Sequence, residues 1–323
     1  MNAQPARALA AALAIVALTP AAPARDYPAR PIRLVVPVAA GGGNDIAARL
    51  IAQKLSAAWG EQVVVDNRPG AATAIGSEIV ARASPDGYTL MLVSVSFAVN
   101  AALGKKLPYD SLRDFAPITQ VARVPLILLV HPALPVKSVA DLIALAKAQP
   151  GRLNYASAGN ASSTHLPMEL FMSLAHVSLN HVPYKGTAPG LNDLLGGQVQ
   201  LMFDAIPPAL PHMQTGRVRG LAITSAQRTA ALPDMPTIAE AGVPGYAYDS
   251  WFAIFAPART PPAIIDKLNR EIVRIVHEPD VRERFVQMGV DPLGTTPAQL
   301  GAHVRSEIAR WTRVVRERGI RAE

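Results

Sequence analysis

The sequence predicts an α/β protein of two lobes, each built on a mostly parallel sheet flanked by helices. Apolar runs typical of buried strands alternate with helical patterns, as they do in parallel sheets. One strand–loop–helix pattern at residues 33–59 recurs about 115 residues further along, at residues 153–174, a separation too long for one βαβ unit. Half of the 323 residues are apolar, so each lobe can bury a core of its own.

The N-terminus has the three parts of a secretory signal peptide. Arg7 precedes the apolar run Ala8–Leu18, and Ala22–Ala24 provides an A-x-A cleavage site. The run is about half as long as the roughly 20 residues that a transmembrane helix needs. We therefore expect residues 1–24 to be a signal peptide, and the mature protein to be soluble and periplasmic.

Composition excludes several classes of function. There is no cysteine, and hence no disulfide, thiolate nucleophile or lipid-anchor cysteine. The net charge of +7 is spread along the chain without a dense basic run, so nucleic-acid binding is not expected. The seven histidines show no metal-ligand spacing. The sequence predicts no metal site, no cofactor and no insertion of the mature chain into a membrane.

The first strand–loop–helix unit predicts an anion site. A buried strand at residues 33–38 leads into Gly41–Gly43, and a helix follows at Ile46–Trp59, with Asn44 or Asp45 as its cap. Glycines let a ligand approach the open helix N-terminus, which favours an anion. The loop lacks the lysine of a phosphate-binding loop, so a carboxylate fits better than a nucleotide. The alternative is a tight turn that binds no ligand.

The next elements complete the first sheet. We expect a strand at residues 62–65, a helix at Ile75–Ala83 and a strand at Tyr88–Val95. Loops after the carboxyl ends of parallel strands face the ligand crevice. One such loop carries Ser94, Ser96, Phe97 and Asn100.

The second lobe repeats this arrangement. After a buried strand at residues 125–130 and a helix that begins with a capping box at Ser138, a short strand at 153–155 leads into a loop of small residues and a helix from His165 to Leu174. Strands are expected at residues 198–204 and 218–223. The polar candidates here are Ser157, Ser162, Ser163, His165, Tyr184 and Asp204.

Each candidate also has a structural interpretation. The serines and His165 could form a nucleophile and base with Asp204, but no G-x-S-x-G elbow is present, and hydroxyl donors around an anion fit better. His165 could instead cap a helix or pack in the core. Tyr184 could be a packed tyrosine, and Asp204 a turn cap.

The C-terminal part returns to the first lobe. A strand at residues 251–255 precedes an amphipathic helix bearing Ile264–Ile275 and a last helix that ends at Gly319. These elements are expected to pack on the first lobe. The predicted lobes are therefore residues 25–124 with 249–323, and residues 125–248.

Several motifs together resemble the Bug family, the periplasmic solute receptors of tripartite tricarboxylate transporters. The resemblance covers nearly all of the mature chain. The motifs that carry it are Tyr27–Ile32, Gly41–Asp45, Asn67–Gly70, Pro85–Leu90, Leu107–Tyr109, Asn154–Leu166, His181–Gly186, Leu194–Val199 and Trp251 with Ala256–Ala258.

The resemblance implies a two-lobed periplasmic-binding-protein fold that closes on a small carboxylated ligand and delivers it to membrane permease subunits. It implies no catalytic residues, and we expect a monomer. The implied ligand contacts are Gly42, Gly43 and Asp45 in one lobe, and Ser157, Gly159, Ser162, Ser163, His165 and Asp204 in the other. Ser94 and Tyr184 join them from the loop positions described above. Phe97 departs from the usual small polar residue and favours a ligand with an apolar or aromatic part.

Two alternatives stay open. The liganded protein could be presented to a membrane signalling receptor rather than to a permease. An exported serine hydrolase would use Ser162 or Ser163 with His165 as its base.

Overall fold

The computed structural model describes residues 27–104 and 106–320. The signal peptide predicted for residues 1–24 lies outside this part of the chain. Within the described ranges, no helix combines the length and the apolar character that crossing a membrane requires.

The helices and strands follow one another in three stretches. The first contains β1 (Ile32–Val36), α1 (Gly43–Trp59), β2 (Val63–Asn67), a 3₁₀ turn (Ala71–Thr73), α2 (Ala74–Ala81), β3 (Thr89–Val93), α3 (Ser96–Ala102) and β4 (Phe115–Val124). The second contains β5 (Leu126–Val130), α4 (Val139–Ala148), β6 (Asn154–Ser157), α5 (Leu166–Ala175), β7 (Asn180–Pro183), α6 (Thr187–Leu195), β8 (Leu201–Ala205), α7 (Ile206–Gln214) and β9 (Arg219–Ile223). The third contains β10 (Ser250–Pro257), α8 (Pro262–Val276), α9 (Pro279–Gln287), β11 (Asp291–Pro292) and α10 (Pro297–Arg318).

The strands form two sheets, and the predicted two-lobed α/β fold is confirmed. The first sheet has the order β11-β4-β10-β3-β1-β2, with β1 parallel to β2 and β3 and with β10 inserted antiparallel between β3 and β4. The second has the order β7-β6-β8-β5-β9, in which β5 is antiparallel to both neighbours. Strands of the second sheet lie within residues 126–223. The lobe bounds at 124/125 and 248/249 stay a prediction.

Burial patterns explain why these segments adopt their structures. All five residues of β5 are buried, as expected for a central strand covered on both faces. Helix α8 buries Ile265, Leu268, Ile272 and Ile275, which recur at helical spacing. Helix α10 begins with a capping box in which Thr296 and Gln299 satisfy each other's backbone N–H groups.

The start of α1 differs from the prediction. The helix begins at Gly43 with Gly42 as its N-cap, and no side chain caps it. Neither Asn44 nor Asp45 is the cap, since both lie inside the helix. The Asp45 carboxylate turns back and accepts a hydrogen bond from the Gly41 N–H at 2.9 Å. This arrangement leaves the first turn of α1 open.

The two sheets meet at their carboxyl edges. Pro125 alone separates Val124, the last residue of β4, from Leu126, the first residue of β5. Leu126 pairs with Ala205 at the carboxyl end of β8, and Ser250, the first residue of β10, pairs with Val124. Both passages of the chain between the sheets therefore lie where the parallel strands of each sheet end.

A cluster of charged residues lies beside these passages. Arg123 pairs in strand register with both Asp291 and Trp251, and its guanidinium lies 3.3 Å from the Asp291 carboxylate. The Thr229 hydroxyl, from the segment after β9, donates to Asp291 at 2.8 Å. These contacts join the segment that follows the second sheet to the first sheet.

Asp249 also belongs to this cluster, and burial disfavours the negative charge of its carboxylate. Its Oδ1 is buried and makes no hydrogen bond to the described residues. Burial raises the pKa of its carboxyl to about 7, although Arg123 opposes the shift. Near neutral pH the protonated and the ionised forms of Asp249 are therefore both populated in the native state.

We expect Asp249→Asn to stabilise the fold more at about pH 8 than at about pH 5. Because the folded-state pKa is raised, the stability that depends on the Asp249 proton is present at low pH and is lost as the pH rises through about 7. Urea unfolding of both proteins at the two pH values measures the difference. The exposed Asp266→Asn is the control, and parallel pH profiles for wild type and Asp249→Asn would contradict this interpretation.

Candidate ligand-binding site

The carboxyl ends of the parallel strands bring the predicted site loops together. The segments after β1, β2 and β3 lie at this edge of the first sheet, and those after β6, β7 and β8 lie at this edge of the second. The passage through Pro125 places these two edges next to each other. Ligands of α/β sheets bind in the crevice beyond such edges.

The first loop presents backbone donors. Residues 39–43 are exposed, and the first backbone hydrogen bond of α1 runs from the Ile46 N–H to the Gly42 carbonyl. No side chain caps the helix, so the N–H groups of its first turn have no capping partner among the described residues. Gly42 has open space where a Cβ would be, whereas a Cβ on Gly43 would lie 3.2 Å from the ring of Phe252.

Asp45 holds this loop in shape. Its carboxylate, 3% exposed, accepts hydrogen bonds from the Gly41 N–H, from Arg49 at 3.0 Å and from the Asn67 amide at 3.0 Å. Burial opposes its ionisation, but the hydrogen bonds from Arg49, Gly41 and Asn67 outweigh burial and lower the pKa of the carboxyl. These contacts occupy Asp45, which links the β1–α1 loop to the end of β2.

The second loop, residues 158–165, is held by its own hydroxyl groups. The Ala158 N–H donates to Thr164 Oγ1 at 2.8 Å, and the His165 N–H donates to Ser162 Oγ at 3.2 Å. Ser163 is exposed and Ser162 half-buried. The Tyr248 hydroxyl donates to the Ser163 carbonyl at 2.9 Å, so the loop also contacts the second passage between the sheets.

Ser157 and His165 lie beneath the loop rather than on its surface. Ser157 is 0% exposed, and its Oγ lies 2.6 Å from Nε2 of His181. His165 is also buried; its Nδ1 accepts the Ala161 N–H at 3.1 Å, and its Nε2 lies 3.3 Å from Glu169. His181 was not among the residues predicted for the site, although it begins the motif His181–Gly186. The sequence around a histidine in a strand does not indicate which side chain it contacts.

Asp204 supplies the carboxylate at the end of β8. It is 1% exposed; its Oδ1 accepts the Ala205 N–H at 2.8 Å, and its Oδ2 makes no hydrogen bond to the described residues. Burial raises the pKa of the carboxyl to about 6, and the Ala205 N–H opposes the shift. A buried acceptor without a partner favours a ligand group that donates a hydrogen bond.

Three other candidates have structural contacts. The Tyr184 hydroxyl donates to Asp193 at 2.6 Å on α6, and burial is the main cause that raises its pKa to about 12. Phe97 is fully buried, with its ring centroid 5.2 Å from those of Phe115 and Phe255. This placement makes Phe97 a core residue. It gives no support to the predicted ligand contact of Phe97 or to the preference for an aromatic ligand that was based on it. Ser94 is half-buried, and its Oγ lies 3.2 Å from that of Ser96.

A surface depression lies elsewhere. It has a volume of about 590 Å³ and is lined by residues 106–114 with Ala101 and Ile308. None of the strand-end loops contributes to it, and its Arg113 is already paired with Asp110 at 2.8 Å. We assign no ligand to this depression.

Comparison with known proteins gives the family. The model of the tripartite tricarboxylate transporter family receptor matches residues 47–320. The chain belongs to this receptor family. The Bordetella pertussis protein BugT is 42% identical over 298 residues, which cover 92% of this chain and 91% of BugT. The resemblance to the Bug family is confirmed.

Two solved structures of similar proteins carry ligands. A Rhodopseudomonas palustris protein with adipate is 41% identical, with a TM-score of 0.78, and the match covers 92% of this receptor and 99% of that chain. MatC from the same organism, with bound malate, is 34% identical, with a TM-score of 0.74 and coverages of 90% and 100%. Both ligands are small dicarboxylates.

We expect Asp45→Asn to lower the free energy of unfolding by about 1–3 kcal/mol at neutral pH. The buried carboxylate accepts three hydrogen bonds, and an amide in its place has no charge and only one oxygen to accept them. The carboxyl pKa is lowered, so its contribution is present above the unfolded value and is lost as the pH falls through the folded one. The difference from wild type should therefore shrink toward about pH 3.

Urea unfolding across this pH range checks the Asp45 prediction. Asp141→Asn is a matched control, because that exposed carboxylate also accepts a backbone N–H, from Lys137 at 2.9 Å, but lies outside the strand-end loops. A pH-independent difference between Asp45→Asn and wild type would contradict the assigned role.

Proposed function

We propose that this receptor works in the periplasm after removal of residues 1–24, captures a small dicarboxylate between its two carboxyl edges without chemical turnover, and delivers it as a monomer to membrane permease subunits. The observation that carries this proposal is the uncapped first turn of α1, which follows the exposed residues 39–43 at the carboxyl edge of the first sheet. A helix N-terminus with free N–H groups favours a carboxylate.

The charges around the first loop support a carboxylate rather than a polyphosphate. Arg49 is paired with Asp45 at 3.0 Å, and Arg68 with Asp66 at 2.9 Å. Arg49 is thereby neutralised, and Arg68 shares the Asp66 carboxylate with Arg33. The exposed donors of the loop itself are uncharged N–H groups. The adipate and malate bound by two relatives have the same carboxylate chemistry.

The second edge offers complementary groups. Gly159, Ser162 and Ser163 lie at its surface, and the buried acid of Asp204 has one oxygen without a partner. Hydroxyl and backbone donors suit a second carboxylate, and the Asp204 oxygen suits a ligand hydroxyl or amine. We propose Gly42, Gly43, Gly159, Ser162, Ser163 and Asp204 as ligand contacts, with Ser94 at the rim.

The contacts of the serines favour binding over hydrolysis. Ser162 Oγ lies 3.2 Å from Thr164 Oγ1 and accepts the His165 backbone N–H, while Nδ1 of His165 is occupied by the Ala161 N–H. The serine that contacts an imidazole is Ser157, which is fully buried. A nucleophile must instead be accessible to its substrate.

A thermal-shift screen of the mature protein tests the proposal. The panel contains adipate, malate and other aliphatic and aromatic mono-, di- and tricarboxylates. At about 100 times its dissociation constant, a ligand stabilises the fold by roughly 2.7 kcal/mol, which is visible as a higher melting temperature. A higher melting temperature with a dicarboxylate, and no product formed from it, supports the proposal. If the purified protein is free of bound ligand and no carboxylate raises its melting temperature, the proposal is contradicted.

We expect Gly42→Val to weaken binding of the best dicarboxylate by about tenfold or more while changing stability by less than about 1 kcal/mol. A Cβ at this position has no protein atom within 4 Å, and the valine side chain would occupy the space in front of the α1 N-terminus. Calorimetric titration measures the affinity. Gly196→Val, at the opposite end of the second sheet and also at negative φ, is the control and should bind normally. If Gly42→Val and the wild type bind the ligand with equal affinity, the β1–α1 loop is not part of the binding site.

A further inference from the structure

We infer that His181 is a positioning residue, which fixes the 158–165 loop in its ligand-binding shape by acting through Ser157. The inference rests on the proposed function, because it assigns that loop to the ligand. His181 lies on β7 and faces the underside of the loop, and it is not itself a proposed ligand contact.

His181 belongs to a cluster of three rings. It pairs in strand register with Tyr155 on β6, and the two ring centroids are 4.8 Å apart. The ring of His165, at the start of α5, lies 4.2 Å from His181 and nearly parallel to it, with 21° between the planes. The imidazole of His181 is thus fixed by packing against both rings, and its Nε2 has a defined direction.

Nε2 of His181 lies 2.6 Å from Ser157 Oγ, which also accepts the Gly159 N–H at 3.1 Å. The serine hydroxyl has one hydrogen to donate, and its possible acceptors are His181 and the Gly159 carbonyl at 3.1 Å. A hydrogen bond joins Ser157 Oγ to Nε2 of His181 in either tautomer: the serine donates when the imidazole hydrogen is on Nδ1, and it accepts when that hydrogen is on Nε2. In both cases Ser157 bonds both His181 and Gly159, and the first turn of the loop is fixed.

The other end of the loop is attached to the same cluster. Because Nδ1 of His165 accepts the Ala161 N–H, its hydrogen is on Nε2, which faces Glu169. The Tyr155 hydroxyl donates to the same carboxylate at 2.8 Å. The ring cluster therefore holds the loop at its start, through Ser157, and at its end, through His165.

Electrostatics keep the His181 imidazole uncharged. Burial lowers its pKa to about 4, and the neighbouring His165 adds to the shift while Glu169 opposes it. The groups that face His181 are Tyr155 and Ser157 from β6 and His165 and Glu169 from α5. At neutral pH the imidazole is therefore uncharged, and its hydrogen bond to Ser157 is one between neutral groups.

Variants of this pair test the inference by hydrogen exchange of residues 158–165 in the ligand-free protein. His181→Phe keeps the ring packing but removes the ring nitrogen that bonds Ser157, and Ser157→Ala removes the hydroxyl. We expect either variant to raise exchange in this segment by about tenfold, and the double variant to match the stronger single one. His181→Gln restores an acceptor and should recover part of the protection, which a purely structural ring would not do.

Adipate affinity, measured by calorimetry on the same variants, should follow the same pattern. His212→Phe on α7 is the control and should behave as wild type. Unchanged exchange in His181→Phe, additive effects in the double variant, or no recovery in His181→Gln would each overturn the inference. If wild type binds no carboxylate, the proposed function fails, and the exchange results still decide whether His181 positions the loop.

Discussion

The single-residue passage at Pro125 is the constraint on which the site depends. Because β4 ends at Val124 and β5 begins at Leu126 opposite Ala205, the carboxyl edge of one sheet continues directly into that of the other. The second passage enters β10 opposite the same Val124. Every loop at the carboxyl end of a parallel strand therefore lies on the edge of its sheet that faces the junction. The chain passes between the sheets twice, through Pro125 and through residues 224–249, an arrangement compatible with a hinge between the lobes.

The site has two levels with different chemistry. Polar side chains beneath the loops form the lower level: the buried Asp45 holds the first loop, and the buried Ser157 and His165 with the half-buried His181 hold the second. Exposed backbone N–H groups and hydroxyls form the upper level and are free to meet a ligand. This division explains how neutral, flexible residue types such as glycine and serine are held in one geometry, since the groups beneath them are hydrogen-bonded to the loops.

Sequence reasoning predicted the elements with strong local patterns. The strand–loop–helix units, the Ser138 cap and the apolar stripe of α8 were all readable, because each depends on spacing within a few residues. It did not predict α7, a helix that contains three prolines. The role of Asp45 and the burial of Phe97 were also hidden, because they depend on Gly41, Asn67 and Phe255 across the fold.

A crystal structure of the mature protein with the dicarboxylate that stabilises it most would test the account most directly. We predict ligand density between the two edges, with a carboxylate on the N–H groups of residues 42–45 and further contacts from the 158–165 loop. Density that touches one sheet alone, or that lies outside the carboxyl edges, would contradict the account.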